Sequence, residues 1–188
     1  MPETNRVALS IVCVTAFDLV RFAKTLDSVK NFKGNLELLV ICPRNDSHSI
    51  ALVNRATEII TYPVKLIHDS GAGIYPAMNL GLKNCVGKYV IFWNSGDLSQ
   101  GDSALSNFLG YLEILDAEWG VAQGSFSWRT SISLTHENIF AFVIQSDGYI
   151  SHQTVFAKKQ SLEDLLSLED SVALALLSSG VESPQEPS

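Results

Sequence analysis

Asp97 closes the stretch Asn94-Ser95-Gly96-Asp97, a turn by composition that follows the apolar run at residues 89–93. A carboxylate at the carboxyl end of a buried strand can hold Mg2+ or Mn2+, both of which favour oxygen ligands. Such a cation would neutralise a diphosphate and make it a better leaving group. An ordinary Asx-type turn uses the same residues. His152-Gln153 offers hydrogen-bond donors and acceptors that suit a hydroxyl-rich ligand, although a single histidine more often has a structural role. Glu169-Asp170 lies in an otherwise apolar helical stretch, where a carboxylate can take a proton from a hydroxyl. Glu163, Asp164, Glu169 and Asp170 also recur at a spacing that gives one solvated stripe. Gly71-Ala72-Gly73 sits between a strand and a helix, as dinucleotide-binding turns do. Here Pro76 stands where the third glycine belongs, and the turn follows the third strand instead of the first. A tight turn that lets the helix approach the sheet is the alternative.

These residues need a frame. Apolar runs at residues 7–14, 36–42 and 89–93 predict buried strands, and residues 64–67 read as a short third strand. Between them, helical periodicity appears at residues 19–32, 50–60 and 74–84. A further helix, capped by Asp102 or Ser103, carries Leu105, Phe108, Leu109, Leu112 and Leu115 on one face. Residues 119–156 mix aromatics, Ser, Thr and Gly and read as strands joined by loops, including one at residues 148–151; residues 161–177 are helical again. Alternation in the first two thirds implies a largely parallel sheet with helices on its faces. In such sheets, ligands bind beyond the carboxyl ends of the strands, where the segments after Val14, Cys42, Ile67 and Trp93 all lie.

A length of 188 residues suits a single domain over residues 1–180, with a polar tail at 181–188. Hydrophobic residues make up 46% and charged residues 18%, enough to build a core. The net charge of -7 argues against sequence-blind nucleic-acid binding, which needs clustered Lys and Arg. Cys13, Cys42 and Cys85 are odd in number and form no C-x-x-C pair, which disfavours a disulfide framework or a zinc site. Residues 1–6 lack the apolar stretch of a signal peptide, and residues 7–14 are too few to span a bilayer; the cysteine usage leads one to expect a reduced, cytoplasmic setting. Leu162, Leu165, Leu166, Val172 and Leu176 form either a core-facing helix stripe or a docking face for a partner copy or a membrane surface.

The stretch Gly73-Ile74-Tyr75-Pro76-Ala77-Met78-Asn79-Leu80-Gly81, continued by Gly87-Lys88-Tyr89-Val90-Ile91-Phe92-Trp93-Asn94-Ser95-Gly96-Asp97, resembles the GIYDAMNKG and GDYIxFLNSGD text of family 2 glycosyltransferases. Residues 10–15 and 25–29 resemble that family's first strand and helix, and His152-Gln153-Thr154-Val155-Phe156 resembles its HQSxF segment. The resemblance implies an α/β, GT-A-like, Rossmann-related fold with helices on both faces. It implies inverting transfer of a sugar from a nucleoside-diphosphate sugar to a hydroxyl of a saccharide or lipid-linked acceptor, in polysaccharide or glycoconjugate synthesis, in the cytoplasm or at the inner face of the membrane. Asp97 would hold Mn2+ or Mg2+; Thr15, Asp46, Asn79, Asn94 and Ser95 would contact the nucleotide sugar. His152 and Gln153 would face donor sugar or acceptor, and Asp170 would be the base. Where the family carries nucleotide-side carboxylates, this chain has Cys42 and Gly71; Pro76 and Leu80 replace the Asp and Lys of DAMNKG; the family's Tyr or Phe near Ala16 is read as missing. Asp46 is the carboxylate available to take over from Cys42. These departures keep a second reading open, a catalytically inactive binding or scaffold protein on the same fold.

Overall fold

The computed structural model describes residues 7–114, 118–121 and 155–166. Strand β1 (Leu9–Val14) leads to α1 (Leu19–Val29), β2 (Leu36–Pro43), α2 (Ser47–Ala56), β3 (Val64–Asp69), α3 (Ile74–Asn84), β4 (Tyr89–Asn94) and α4 (Asp102–Ile114). Then follow β5 (Trp119–Val121), β6 (Val155–Lys158) and α5 (Lys159–Leu166). One sheet has the order β3-β2-β1-β4-β6-β5. The first four strands run parallel, and β6 returns antiparallel between β4 and β5.

The continuous apolar runs of β1, β2 and β4 follow from burial on both faces. Leu9, Ile11 and Cys13 point to a core built with α1, α2 and α4. Val12, with Leu39, Ile41, Val90 and Phe92, points to a second core under α3 and Leu162 of α5. Helix α3 crosses β1 closely at Gly81, where an added Cβ would lie 2.2 Å from Val12 Cγ1. That contact gives the glycine of the AMNLG segment a packing reason.

A polar network locks the amino end of the sheet. Glu37 is fully buried. Its Oε1 accepts from Ser10 Oγ at 2.6 Å and from Val86 N–H at 2.5 Å. Its Oε2 pairs with Lys65 Nζ at 2.8 Å, and Gly87 N–H donates to Ser10 Oγ at 2.8 Å. Burial pushes the Glu37 carboxyl up, but Lys65, Ser10 and Val86 outweigh it and hold the group below its ordinary value.

Some expected boundaries move. Helix α2 begins at Ser47, not at residue 50, because Asp46 caps it. Asp102 lies inside the first turn of α4, where a carboxylate meets the positive end of the helix dipole. Strand β3 runs two residues beyond 67, to Asp69. The strand expected at 148–151, His152, Gln153, Asp170, the helix beyond residue 166 and the tail at 181–188 lie outside the described residues. No helix among the described residues is long and apolar enough to cross a membrane.

Candidate functional site

A cleft of ≈ 700 Å³ opens at the carboxyl ends of the parallel strands. It is lined by residues 14–18 after β1, 43–45 after β2, 69–71 with Gly73 and Ile74 after β3, and Asn94 and Ser95 at β4. The chain leaves β1 toward β2 on one side and returns at β4 on the other, so the cleft includes the point where strand order reverses.

Hydroxyls form the floor at that reversal. Thr15 is buried, and its Oγ1 accepts from Ser95 Oγ at 2.7 Å. Ser95 N–H donates to Val14 O at 3.1 Å. Helix α1 holds the rest of the β4 loop, with Gly96 N–H on Thr25 Oγ1 at 2.9 Å and Ser99 N–H on Ser28 Oγ at 3.1 Å. Asp97 folds back onto its own turn. Its Oδ2 accepts from Asn94 N–H at 2.6 Å, and its N–H donates to Asn94 O at 3.1 Å. Asn94 and Ser95 line the cleft, while Asp97 is not among the lining residues. Burial and then the Asp97 charge raise the Cys13 thiol well above its ordinary value. Among the described residues no group of three or more His, Cys, Asp or Glu side chains could hold a metal ion. The turn by itself is therefore not a carboxylate cage for Mn2+ or Mg2+.

Asp46 braces the cleft wall from behind. It is 2% exposed; its Oδ1 accepts from Ser49 N–H at 3.1 Å as the cap of α2, and its Oδ2 accepts from Phe17 N–H at 2.7 Å. Burial raises its pKa, but the Phe17 and Ser49 donors and the His48 charge overcome that and hold it low. Both oxygens are engaged with protein, and Asp46 does not line the cleft. Phe17, which it holds, has φ 55°, a left-handed conformation uncommon for a residue with a Cβ. The residue is 66% exposed and lines the cleft. The expectation that no aromatic stands near Ala16 is thereby corrected: Phe17, one residue on, lines the cleft.

The opposite wall is the start of α3. Gly73 caps it with φ 116° and no side-chain bond, and Gly71 has φ 73°. Both conformations favour glycine, and a Cβ at either would meet nothing within 4 Å. The turn therefore leaves open space in front of a helix amino terminus, where free N–H groups and the helix dipole favour anions. Pro76 fits in this first turn, where its missing N–H is not needed. Asn79 lies farther along α3, half-buried and away from the cleft lining. Arg44, exposed on the β2 loop, brings a cation to the cleft. Cys42 is fully buried; burial, then Asp46 and Asp69, push its thiol up to about 11, which keeps it neutral and inert.

The cleft thus gathers Thr15, Asn94 and Ser95 of the expected residues, and leaves Asp46, Asn79 and Asp97 outside its lining. It adds Phe17, Arg44 and Asp69. Asp69 lines the cleft, and its Oδ1 is buried with no hydrogen-bond partner among the described residues. Its position as the last residue of an apolar strand, just before a glycine turn, was the signal that could have found it.

No family model matches the chain. It is 27% identical over 158 residues to glycosyltransferase GlyA of Streptococcus pneumoniae serotype 4, covering 82% of this chain and 21% of that protein. The architecture is similar to S. aureus TarS 1-349 in complex with UDP-GlcNAc, with a TM-score of 0.62 and 14% identity over 84% of this chain and 47% of that one. It is also similar to the mannosyltransferase PcManGT of Pyrobaculum calidifontis in complex with GDP-Man and Mn2+, at 0.62 and 17% over 87% and 47%. The chain spans about a fifth of GlyA and about half of each of these solved chains. Strand order, site position and these likenesses together give the chain a GT-A-like, Rossmann-related α/β fold, the one on which these glycosyltransferases are built.

Proposed function

We propose that the chain is a glycosyltransferase domain that moves a sugar from a nucleoside-diphosphate sugar to an acceptor hydroxyl with inversion. The observation that carries this reading is one cleft lined by the α3 amino terminus, left open by Gly71 and Gly73, together with Arg44, Thr15 and Ser95. Helix dipole and guanidinium favour a diphosphate, and the floor hydroxyls can bond its oxygens. The likeness to GlyA supports sugar transfer as the reaction. Asp170 is the proposed base, with His152 and Gln153 beside the reacting sugar; an acceptor hydroxyl losing its proton to Asp170 would attack the anomeric carbon opposite the departing diphosphate. The acceptor is a saccharide or lipid-linked sugar, in polysaccharide or glycoconjugate assembly in the cytoplasm or at the membrane's inner face.

If Mn2+ or Mg2+ accompanies the diphosphate, Asp97 is the carboxylate of the β4 turn that could meet it, after releasing Asn94 N–H. A second reading, a non-catalytic nucleotide-sugar or scaffold domain, is favoured by the neutral Cys42 and by Gly71 at positions where the resemblance leads one to expect carboxylates. Thermal shift with UDP and GDP, with and without Mn2+, tests the first reading. Ligand at about 100 times its dissociation constant adds roughly 2.7 kcal/mol. No shift with any nucleoside diphosphate would leave only a scaffold. Binding kept but transfer lost in Asp170→Asn supports the base; unchanged transfer removes Asp170 from the reaction.

A further inference from the structure

Helix α1 carries two hydroxyls, Thr25 and Ser28, three residues apart and therefore on neighbouring positions of one face. A hydroxyl has one proton to give and two lone pairs to offer. Here each proton turns back to the helix. Thr25 Oγ1 donates to Arg21 O at 3.3 Å, and Ser28 Oγ donates to Thr25 O at 2.8 Å. Lone pairs are left for the loop after β4. Gly96 N–H donates to Thr25 Oγ1 at 2.9 Å, and Ser99 N–H to Ser28 Oγ at 3.1 Å. Each of these two bonds joins residues 71 positions apart, so they are tertiary ties between α1 and the loop. Thr25 is fully buried, which makes an unpaired Gly96 N–H costly there.

The same loop is tied on its other side to β1. Ser95 N–H donates to Val14 O at 3.1 Å, and Ser95 Oγ to Thr15 Oγ1 at 2.7 Å. Peptide units are planar, so an N–H held in place fixes the whole unit. Val14 fixes the unit before Ser95, and Thr25 fixes the unit after it through Gly96. The Ser95 backbone is clamped between β1 and α1, and its side chain lines the cleft.

Resting on the reading above, we propose that Thr25 and Ser28 are positioning residues for ligand binding. Neither is among the lining residues of the cleft. Thr25 acts through Ser95, and Ser28 secures the far end of the loop at Ser99. Together they hold the Ser95–Thr15 hydroxyl pair in place before a nucleoside diphosphate arrives, so that binding does not have to order it.

Calorimetric titration with inorganic pyrophosphate, UDP and GDP tests this on single and double variants. Thr25→Val keeps the shape and removes the acceptor. It should weaken pyrophosphate and the better nucleotide by a similar factor, about threefold to tenfold. Thr25→Ser restores the oxygen and should restore the affinity. Ser28→Ala, at a half-buried position, should fold as wild type and weaken both ligands about twofold or more. In a Ser95→Ala background the Thr25→Val loss should shrink below about twofold, because two residues acting through one contact are not additive. Amide exchange at Gly96 should quicken about tenfold in Thr25→Val, and at Ser99 in Ser28→Ala, with Val40 of β2 unchanged. Wild-type affinities in both Thr25→Val and Ser28→Ala overturn the proposal. An equal Thr25→Val loss with and without Ser95→Ala also overturns it, by making Thr25 a packing residue. So does failure of Thr25→Ser to regain affinity. Unchanged exchange at Gly96 and Ser99 removes the proposal alone, whereas a wild type that binds none of the three ligands removes the functional reading and the proposal together.

Discussion

Replacing Asp46 by Asn separates two tasks that one buried carboxylate performs. Asp46 Oδ1 caps α2 through Ser49 N–H, and Oδ2 holds Phe17 N–H at 2.7 Å. Asparagine caps a helix as well as aspartate, so its single carbonyl oxygen can keep Ser49. Its amide NH2 would then face Phe17 N–H, donor against donor. The hydrogen bond lost there is charge-assisted, roughly 1.5–3 kcal/mol. Part is recovered because Phe17 no longer has to hold φ 55°, a conformation that costs about 1–2 kcal/mol. The net expectation is about 1–2 kcal/mol of destabilisation, or roughly 2–8 °C in Tm for a domain of this size. Urea denaturation measures the loss, and amide exchange at Phe17 should accelerate while exchange at Ser49 does not. With the Phe17 ring released, nucleotide affinity should fall about fivefold or more, since base–aromatic stacking is worth roughly 1–3 kcal/mol. Wild-type stability together with unchanged exchange at Phe17 would refute the idea that Asp46 shapes the cleft through this residue. Weaker nucleotide binding with Phe17 exchange unchanged would instead make Asp46 a direct ligand.

Gly81→Ala should destabilise by about 1–3 kcal/mol, because its Cβ would overlap Val12. Gly110→Ala in α4, where a Cβ meets nothing within 4 Å, should stabilise by about 0.5–1 kcal/mol; urea midpoints compare the two. Glu37 and Asp46 both have lowered folded pKa values. Their contributions are therefore complete above the ordinary carboxylate values of 4.5 and 3.8 and are lost as pH falls through the lowered ones. Glu37→Gln should flatten the fall in Tm measured below about pH 4.5. Asp97→Asn keeps an acceptor for Asn94 N–H and should stay near wild-type stability, whereas Asp97→Ala should lose about 1–2 kcal/mol. An Mn2+-dependent thermal shift present in wild type and absent from Asp97→Asn would identify a metal role beyond the turn.

The parallel half of the sheet was readable because strands buried on both faces cannot avoid apolar runs, as in the stretches Ile11–Val14 and Leu38–Ile41 around the register pairs of β1 and β2. Helix α3 was read at its observed limits, since its glycines and periodicity mark both ends. The start of α2 was missed for a physical reason. Asp46 stands where a cap residue belongs, but the same carboxylate also suits a ligand, and spacing alone does not tell which N–H groups will reach it. Asp97 is the same case, because a turn-closing acceptor and a metal ligand have the same sequence. For Asp69 a local signal existed, the end of a strand just before a glycine turn, but which side chains share a rim with it and with Phe17 follows from strand order, a long-range fact.

The network of Ser10, Glu37, Lys65, Val86 and Gly87 lies at the end of the sheet away from the cleft. Folding and recognition are therefore anchored at opposite poles of the same strands. Residues at the recognition pole, such as Cys42 near the end of β2 and Gly71 in the turn after β3, can change while the clamp that aligns the strands stays intact. Ligand choice in such a domain is free to drift without the architecture drifting with it.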